Sequence, residues 1–113
     1  MKKVEAIIRS SKFKAVRNAL KEVGVNFFTY RDVRGFGQQK SAHMVYRGTA
    51  YDIGYIARMQ LEILVTEASL EKVIETIKES AKTGEIGDGK ITVLSVDQVV
   101  RVRTGEKGAD ALN

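Results

Sequence analysis

Three stretches of the chain carry residues suited to holding an oxyanion. The first is G-E-I-G-D-G-K at residues 84–90. Gly87 and Gly89 let the backbone turn so that N–H groups converge on an anion, and Lys90 adds a point charge. The spacing fits G-x-x-x-x-G-K, yet Ile91 stands where a P-loop needs Ser or Thr for magnesium. The segment also leads from a helical pattern into a strand pattern, so no helix N-terminus faces the phosphates. A plain G-D-G turn competes with the phosphate reading, and in it Asp88 is a turn residue rather than a base. The second stretch is V-V-R-V-R at 99–103. A period of two puts Arg101 and Arg103 on one face, with Val100 and Val102 on the other. Two guanidiniums roughly 7 Å apart can grip one polyphosphate. The competing reading is an edge strand whose charges oppose aggregation. The third is G-F-G-Q-Q at 35–39, where Gly35 and Gly37 permit close backbone approach and Gln38 and Gln39 supply amide donors and acceptors. Together the three favour a triphosphate more than any one does alone.

Enzyme chemistry fares poorly. His43 is the single histidine, it reads as a solvated loop residue, and the chain has no cysteine. Neither a catalytic triad nor a histidine or thiolate metal cage can be assembled, and disulfides are excluded.

These groups have to be positioned by regular elements. Residues 2–8 alternate, with Val4, Ala6 and Ile8 on one side and Lys3, Glu5 and Ile7 on the other, as in a half-buried strand. Ser10 and Ser11 are candidate caps for a helix whose stripe is Phe13, Val16, Ala19, Leu20 and Val23, and Gly24 ends it. Residues 26–34 read as a second strand. Residues 56–66 alternate again, with Met59, Leu61, Ile63 and Val65 facing one way and Arg58, Gln60, Glu62 and Leu64 the other. Ser69 is the expected cap of a second helix with stripe Leu70, Val73, Ile74, Ile77 and Ala81. A turn-rich loop at 82–90, a strand at 91–94 and a short strand at 99–103 complete the order. Between the second and third strands lies a long arm, residues 34–55, with no steady period and with Tyr46, Tyr51 and Tyr55 among small and polar residues. Such an arm in a small domain is read as a working element.

Two copies of strand–helix–strand imply an α+β, ferredoxin-like double βαβ fold with an antiparallel sheet covered on one face by two helices. Ile7 and Leu64 leave the other face apolar enough to call for burial by self-association. The length of 113 residues and 43% apolar content fit a single domain, 1–113. The net charge of +5 and pI of about 9.6 favour anionic partners. No apolar run approaches the ~18 residues of a membrane span, and Glu5 and Arg9 interrupt any signal-peptide core, so a cytoplasmic location is expected.

With these residues in view the chain resembles the PII nitrogen-regulatory signal-transduction proteins. The resemblance is carried by M-K-K-V-E-A-I-I at the start, V-R-G-F-G-Q-Q-K, Y-R-G-T-A-Y at 46–51, T-G-E-I-G-D-G-K-I at 83–91 and V-V-R-V-R-T-G-E-K-G at 99–108, collinear over nearly the whole chain. It implies a homotrimer with ATP or ADP in each cleft between neighbours and no enzymatic activity. The arm, about 37–55, corresponds to the family's T-loop, residues 82–90 to its B-loop and 102–109 to its C-loop. The phosphate contacts carry over onto Gly87, Asp88, Gly89 and Lys90 from one subunit and onto Arg101 and Arg103 from its neighbour. Thr29 matches an adenine-side contact. Leu64, Gly35, Gly37 and Gln38 are also implied on the nucleotide side. Gln39 matches the residue that helps hold Mg2+ and 2-oxoglutarate beside ATP, with Gly37 and Arg58 on the 2-oxoglutarate side. Tyr51 matches a tyrosine that is uridylylated in many bacterial members, and Arg47 one that plugs an ammonium channel.

Implied partners are an ammonium transporter, a uridylyltransferase or a nitrogen-assimilation enzyme. Nucleic acid is not among them, and the membrane is reached only through the transporter. Gln38 stands where many members have a phosphate-reaching arginine, and Arg58 where the family usually has a lysine; both bear on ligand choice. Two alternatives remain: a PII-like sensor of a different metabolite or target, and an RNA-binding ferredoxin-like domain. For the latter, R-G-F-G at 34–37 matches the first four positions of the RRM motif before Gln38 and Gln39 break it.

Overall fold

The computed structural model describes residues 1–36, 43–46, 49–52 and 56–112. Strand β1 (Lys2–Arg9) leads through a single 3-10 turn (Ser10–Lys12) into helix α1 (Phe13–Glu22), and β2 (Thr29–Gly35) follows. Strands β3 (His43–Tyr46) and β4 (Thr49–Asp52) lie within the arm. Then come β5 (Ile56–Val65), helix α2 (Glu67–Ala81) and β6 (Gly89–Ser95). The main sheet has the order β2-β5-β1-β6 and every pairing is antiparallel. Each βαβ crossover leaves room for one strand of the other unit, which is the ferredoxin-like double βαβ arrangement expected from the sequence.

The period-2 expectation for β1 and β5 holds residue by residue. Val4, Ala6 and Ile8 of β1 and Leu61, Ile63 and Val65 of β5 are buried, with Met59 packed against them. Val16 and Leu20 of α1 and Val73, Ile77 and Ala81 of α2 close over that face. The opposite face has no helix and carries Ile7, Leu64 and Leu94, each about two-fifths exposed (39, 41 and 39%). In its middle row Glu5 sits directly opposite Glu62. Like charges there are tolerated because Lys3 pairs with Glu5 at 3.1 Å and Arg31 with Glu62 at 3.1 Å.

Helix α1 stops as its sequence dictates. Gly24 takes φ +90°, its N–H donates to Lys21 O and the Val25 N–H to Leu20 O. That is the double bond of a Schellman motif, with Val25 packed against the core beside Leu20.

Several expectations need correction. Ser10 and Ser11 do not cap α1; they form the 3-10 turn, and the N-cap position is Lys12, without a side-chain bond. Ser69 is not the cap of α2. Thr66 holds that position in extended backbone and its Oγ1 accepts from Ser69 N–H at 3.3 Å, while Ser69 Oγ returns to Thr66 O at 3.3 Å. Both residues are cap formers three apart, and the reciprocal pair is satisfied only with Thr66 outside the helix. Strand β2 begins at Thr29 rather than 26, because residues 25–28 still belong to the return from α1. Strand β6 begins at Gly89, so Gly89 and Lys90 are strand rather than loop. The arm is not wholly irregular: β3 and β4 pair as an antiparallel hairpin, and His43, read as a loop residue, opens β3. Residues 99–103 are not a strand. A single bridge joins Val100 to Lys107, and the chain turns between them, with Arg101 N–H donating to Glu106 O and Gly105 N–H to Arg101 O, both at 2.8 Å.

Removing the Thr66 hydroxyl leaves a helix N–H without its acceptor. Thr66→Ala is expected to lower stability by about 1 kcal/mol. Urea unfolding at fixed protein concentration measures this, and an unchanged midpoint would show that Thr66 is not the working cap.

Candidate anion site

Antiparallel register gathers one set of groups at one end of the sheet. Arg9 of β1 lies opposite Arg58 of β5, which in turn lies opposite Val33 of β2, one residue before the arm's first position. Gly35 closes the β2–β5 ladder opposite Ile56. Ile8 lies opposite Gly89, so the 83–88 loop hangs from the same end. The base of the arm, two arginines and the glycine-rich loop are therefore neighbours by strand pairing alone.

The loop is locked by its own carboxylate. Asp88 accepts from Thr83 N–H at 2.8 Å, Gly84 N–H at 2.9 Å and the Thr83 hydroxyl, and from Arg9 Nε at 3.0 Å. A second Arg9 nitrogen donates to Ile86 O at 2.9 Å. Gly84 and Gly87 supply the left-handed angles, φ +90° and +104°. The sequence pattern places a convergent N–H nest at Gly87 and Gly89; the N–H groups that converge on an anion are those of Thr83 and Gly84, and the anion is the loop's own Asp88. These bonds hold the Asp88 carboxyl well below its ordinary pKa of 3.8; the Thr83 hydroxyl contributes most, then Thr83 N–H, then Arg9, while burial opposes them weakly. At Gly89, φ is +105° and an added Cβ would lie 1.7 Å from Ile7 O, so β6 enters the sheet in a contact that admits hydrogen alone.

Arg58 is the one charged residue buried among the described residues, at 8% exposure. Burial pushes its guanidinium pKa down from the ordinary value, Arg9 pushes the same way, and Asp88 opposes them. Two cations against one carboxylate leave this end of the sheet positive. Sequence reasoning missed Arg9, which was noted only as a break in a leader. Its role depends on a contact 79 residues away, and no local signal announces that.

The other expected residues fall elsewhere. Lys90 points from the helix-free face, opposite Ile7. Thr29 and Leu64 meet in a hollow of about 400 Å3 with Lys3, Phe28, Glu62 and Val99. Lys3 lies opposite both Leu64 and Leu94, so this hollow is at the other end of the sheet. Arg101 and Arg103 do not share a strand face. Arg101 holds the C-terminal turn together, donating to Glu106 Oε1 at 2.7 Å and to Asp110 O at 2.9 Å, whereas Arg103 is exposed on the turn. Tyr51 lies in β4 opposite Met44. Gly37, Gln38, Gln39 and Arg47 lie outside the described residues. Among the described residues no cluster of His, Asp or Glu could hold a metal ion, and no helix is long and apolar enough to cross a membrane.

The family model "Nitrogen regulatory protein P-II" matches residues 1–106. The chain belongs to the PII family. It is 46% identical over 112 residues to the nitrogen regulatory protein P-II of Pasteurella multocida, covering 99% of this chain and 100% of that one. It is also 46% identical to the Synechocystis protein of the same name, with the same coverage. Among solved structures, Arabidopsis thaliana PII bound to citrate is similar with a TM-score of 0.80 and 43% identity, covering 98% of this chain and 88% of that one. PII proteins are nitrogen-regulatory signal transducers without enzymatic activity, which agrees with the failure to assemble a catalytic constellation. Within the PII fold, the arm between β2 and β5 is the T-loop.

Because the folded-state pKa of Asp88 is depressed, its stabilisation of the loop is complete above the ordinary carboxylate range and fades as pH falls below ~4. A carboxyl-detected NMR titration should find Asp88 ionising below the other aspartates; titration at or above 3.8 would contradict the bonding described here. Gly89→Ala, which sets a Cβ against Ile7 O, should cost more than the ~1 kcal/mol of an ordinary left-handed glycine replacement, measured by chemical unfolding. A neutral result would mean that the strand entry is looser than drawn.

Proposed function

We propose that this PII protein senses ATP and ADP, with Mg2+ and 2-oxoglutarate, and reports their levels to partners through its T-loop. The observation that carries this reading is the pairing of Arg58 and Arg9 beside the 83–88 loop, at the base of the arm. A nearly buried guanidinium next to a second one, with a single carboxylate between them, is a receptor for a small dianion. Phosphates would be held by Gly87, Gly89 and Lys90, with Asp88 shaping the loop from within. Gln38 and Gln39, with Gly35 and Gly37 at the arm's base, would complete the nucleotide side, and Gln39 would help to hold Mg2+. Mg2+ would supply positive charge that offsets the phosphates; 2-oxoglutarate would be held by Arg58, Gly37 and Gln39. Thr29 and Leu64 would face the adenine side.

Lys90 and Arg101 of one chain belong to opposite ends of a sheet whose last strand spans roughly 20 Å. A shared grip on one phosphate chain would be met most simply if Arg101 and Arg103 came from a second copy. That requirement, and the apolar helix-free face, support a homotrimer with the nucleotide at the seams. The T-loop would then meet an ammonium transporter, a uridylyltransferase or a nitrogen-assimilation enzyme in the cytoplasm, with Arg47 as a contact and Tyr51 as a modification site. The RNA-binding reading loses ground: among the described residues the strand positions of the helix-free face are Thr29, Arg31 and Val33, Lys3 to Arg9, Arg58 to Leu64, and Lys90 to Leu94, taken alternately, and none is aromatic, Phe27 standing before β2 begins. A second reading keeps the site and changes the acid, since the similar Arabidopsis PII was solved with citrate and Arg58 offers a broad bidentate fork.

Calorimetric titration separates these. With ATP and Mg2+ present, 2-oxoglutarate is expected to bind, and Arg58→Ala to weaken it by about a hundredfold, as loss of a bidentate charge pair does. Equal 2-oxoglutarate binding with ADP or without magnesium would overturn shared coordination, and a preference for citrate would establish the second reading.

A further inference from the structure

We propose that the cleft between α1 and the 25–30 segment is a second ligand site, taking an aromatic ring that bears one phosphate or carboxylate. The site owes nothing to the sheet-end anion site or to the arm. The Schellman turn at Gly24 sends the chain back beside the last turns of α1 and leaves a hollow of about 310 Å3 between them. One wall is cationic. Arg17 and Lys21 are four residues apart on α1, so they share a face one turn apart. Both are exposed, and neither forms an ion pair or hydrogen bond among the described residues. No carboxylate lines the hollow.

The other wall is aromatic. Tyr30 stacks obliquely on Phe13 at 4.6 Å between ring centres and lies 6.2 Å from Phe28, which fixes its plane. Yet Tyr30 remains 58% exposed and Phe27 74% exposed. Asn26 adds an amide at the edge. Rigid rings with open faces offer stacking to any planar guest, and two unpaired cations across the gap offer an anchor for its charge. The volume is at the small end of ligand sites and fits one ring with a single charged group rather than a polyphosphate. Two cations and no anion in the lining select against a zwitterion.

Phenyl phosphate is the probe, titrated into the full-length protein and followed by amide NMR. Saturable shifts should centre on Arg17, Lys21, Asn26, Phe27 and Tyr30. Inorganic phosphate and phenol, each lacking half of the chemistry, should bind at least about tenfold more weakly if ring and charge both contribute. Arg17→Ala with Lys21→Ala, at exposed helix positions where alanine is well tolerated, should weaken phenyl phosphate about tenfold or more, and Phe27→Ala should also weaken it. Phe27 and Phe28 also line the Thr29–Leu64 hollow, so both Lys90→Ala and Leu64→Ala serve as controls; neither should change the affinity, which keeps this result independent of the nucleotide reading. Shifts confined to residues 83–90, phosphate binding as tightly as phenyl phosphate, or a double variant with unaltered affinity would each overturn the proposal.

Discussion

Antiparallel pairing of β1 with β5, in the register that sets Arg9 against Arg58, is the constraint on which the rest of the molecule depends. Strand side chains alternate, so a slip of one residue would turn Val4, Ala6 and Ile8 away from the helices and bring Arg9 under them. The apolar face forbids slips by an odd number of residues, and the register adopted brings two guanidiniums together. Their repulsion is relieved by Asp88, whose position follows from the pairing of β6 with the other edge of β1. Core packing and site electrostatics are thus settled by the same strand alignment, and neither can be altered without the other.

The charge left over at this end of the sheet gives the candidate anion site its character. Asp88 is committed to Thr83, Gly84 and Arg9, so it shapes the loop while neutralising only part of the neighbouring positive charge. Arg58, nearly buried and flanked by Arg9, keeps its charge at a solvation cost that an incoming anion would relieve. The helix-free face is different in character. Its acidic pair is already matched by Lys3 and Arg31, and Leu64 and Leu94 lie towards the far end, with Ile7 nearer the arginines. It is suited to covering by protein, whereas the Arg58 end is suited to a small charged guest.

Much of this was legible in the residues themselves. The inward and outward faces of β1 and β5, the stripes of both helices and the stop at Gly24 follow from period and steric preference, which act locally. The collinear glycine and arginine motifs pointed to the PII family before any fold was seen. The errors have physical sources too. Thr66 and Ser69 are equivalent cap formers by composition, and only the reciprocal bond distinguishes them. V-V-R-V-R alternates as strands do, but pairing needs a partner edge, and the segment instead closes on Glu106 as a turn. The hairpin within the arm is short, four residues to a strand, and a period of two is hard to read in so few residues. Arg9 was invisible because its meaning depends on a residue that arrives much later in the chain.

That separation has a consequence for how the protein comes to be competent. The tether joins Arg9 to Asp88 across 79 residues, and β6 must enter beside Ile7 and Ile8 for the loop to hang correctly. Contacts between distant parts of a chain form late, because closing them costs more entropy than closing local ones. A nascent PII chain still lacking its final quarter can own two helices and three strands of the sheet yet lack the carboxylate that ties Arg9 to the 83–88 loop. The candidate anion site is therefore completed at the last step of folding, and fraying of a single edge strand is enough to undo it.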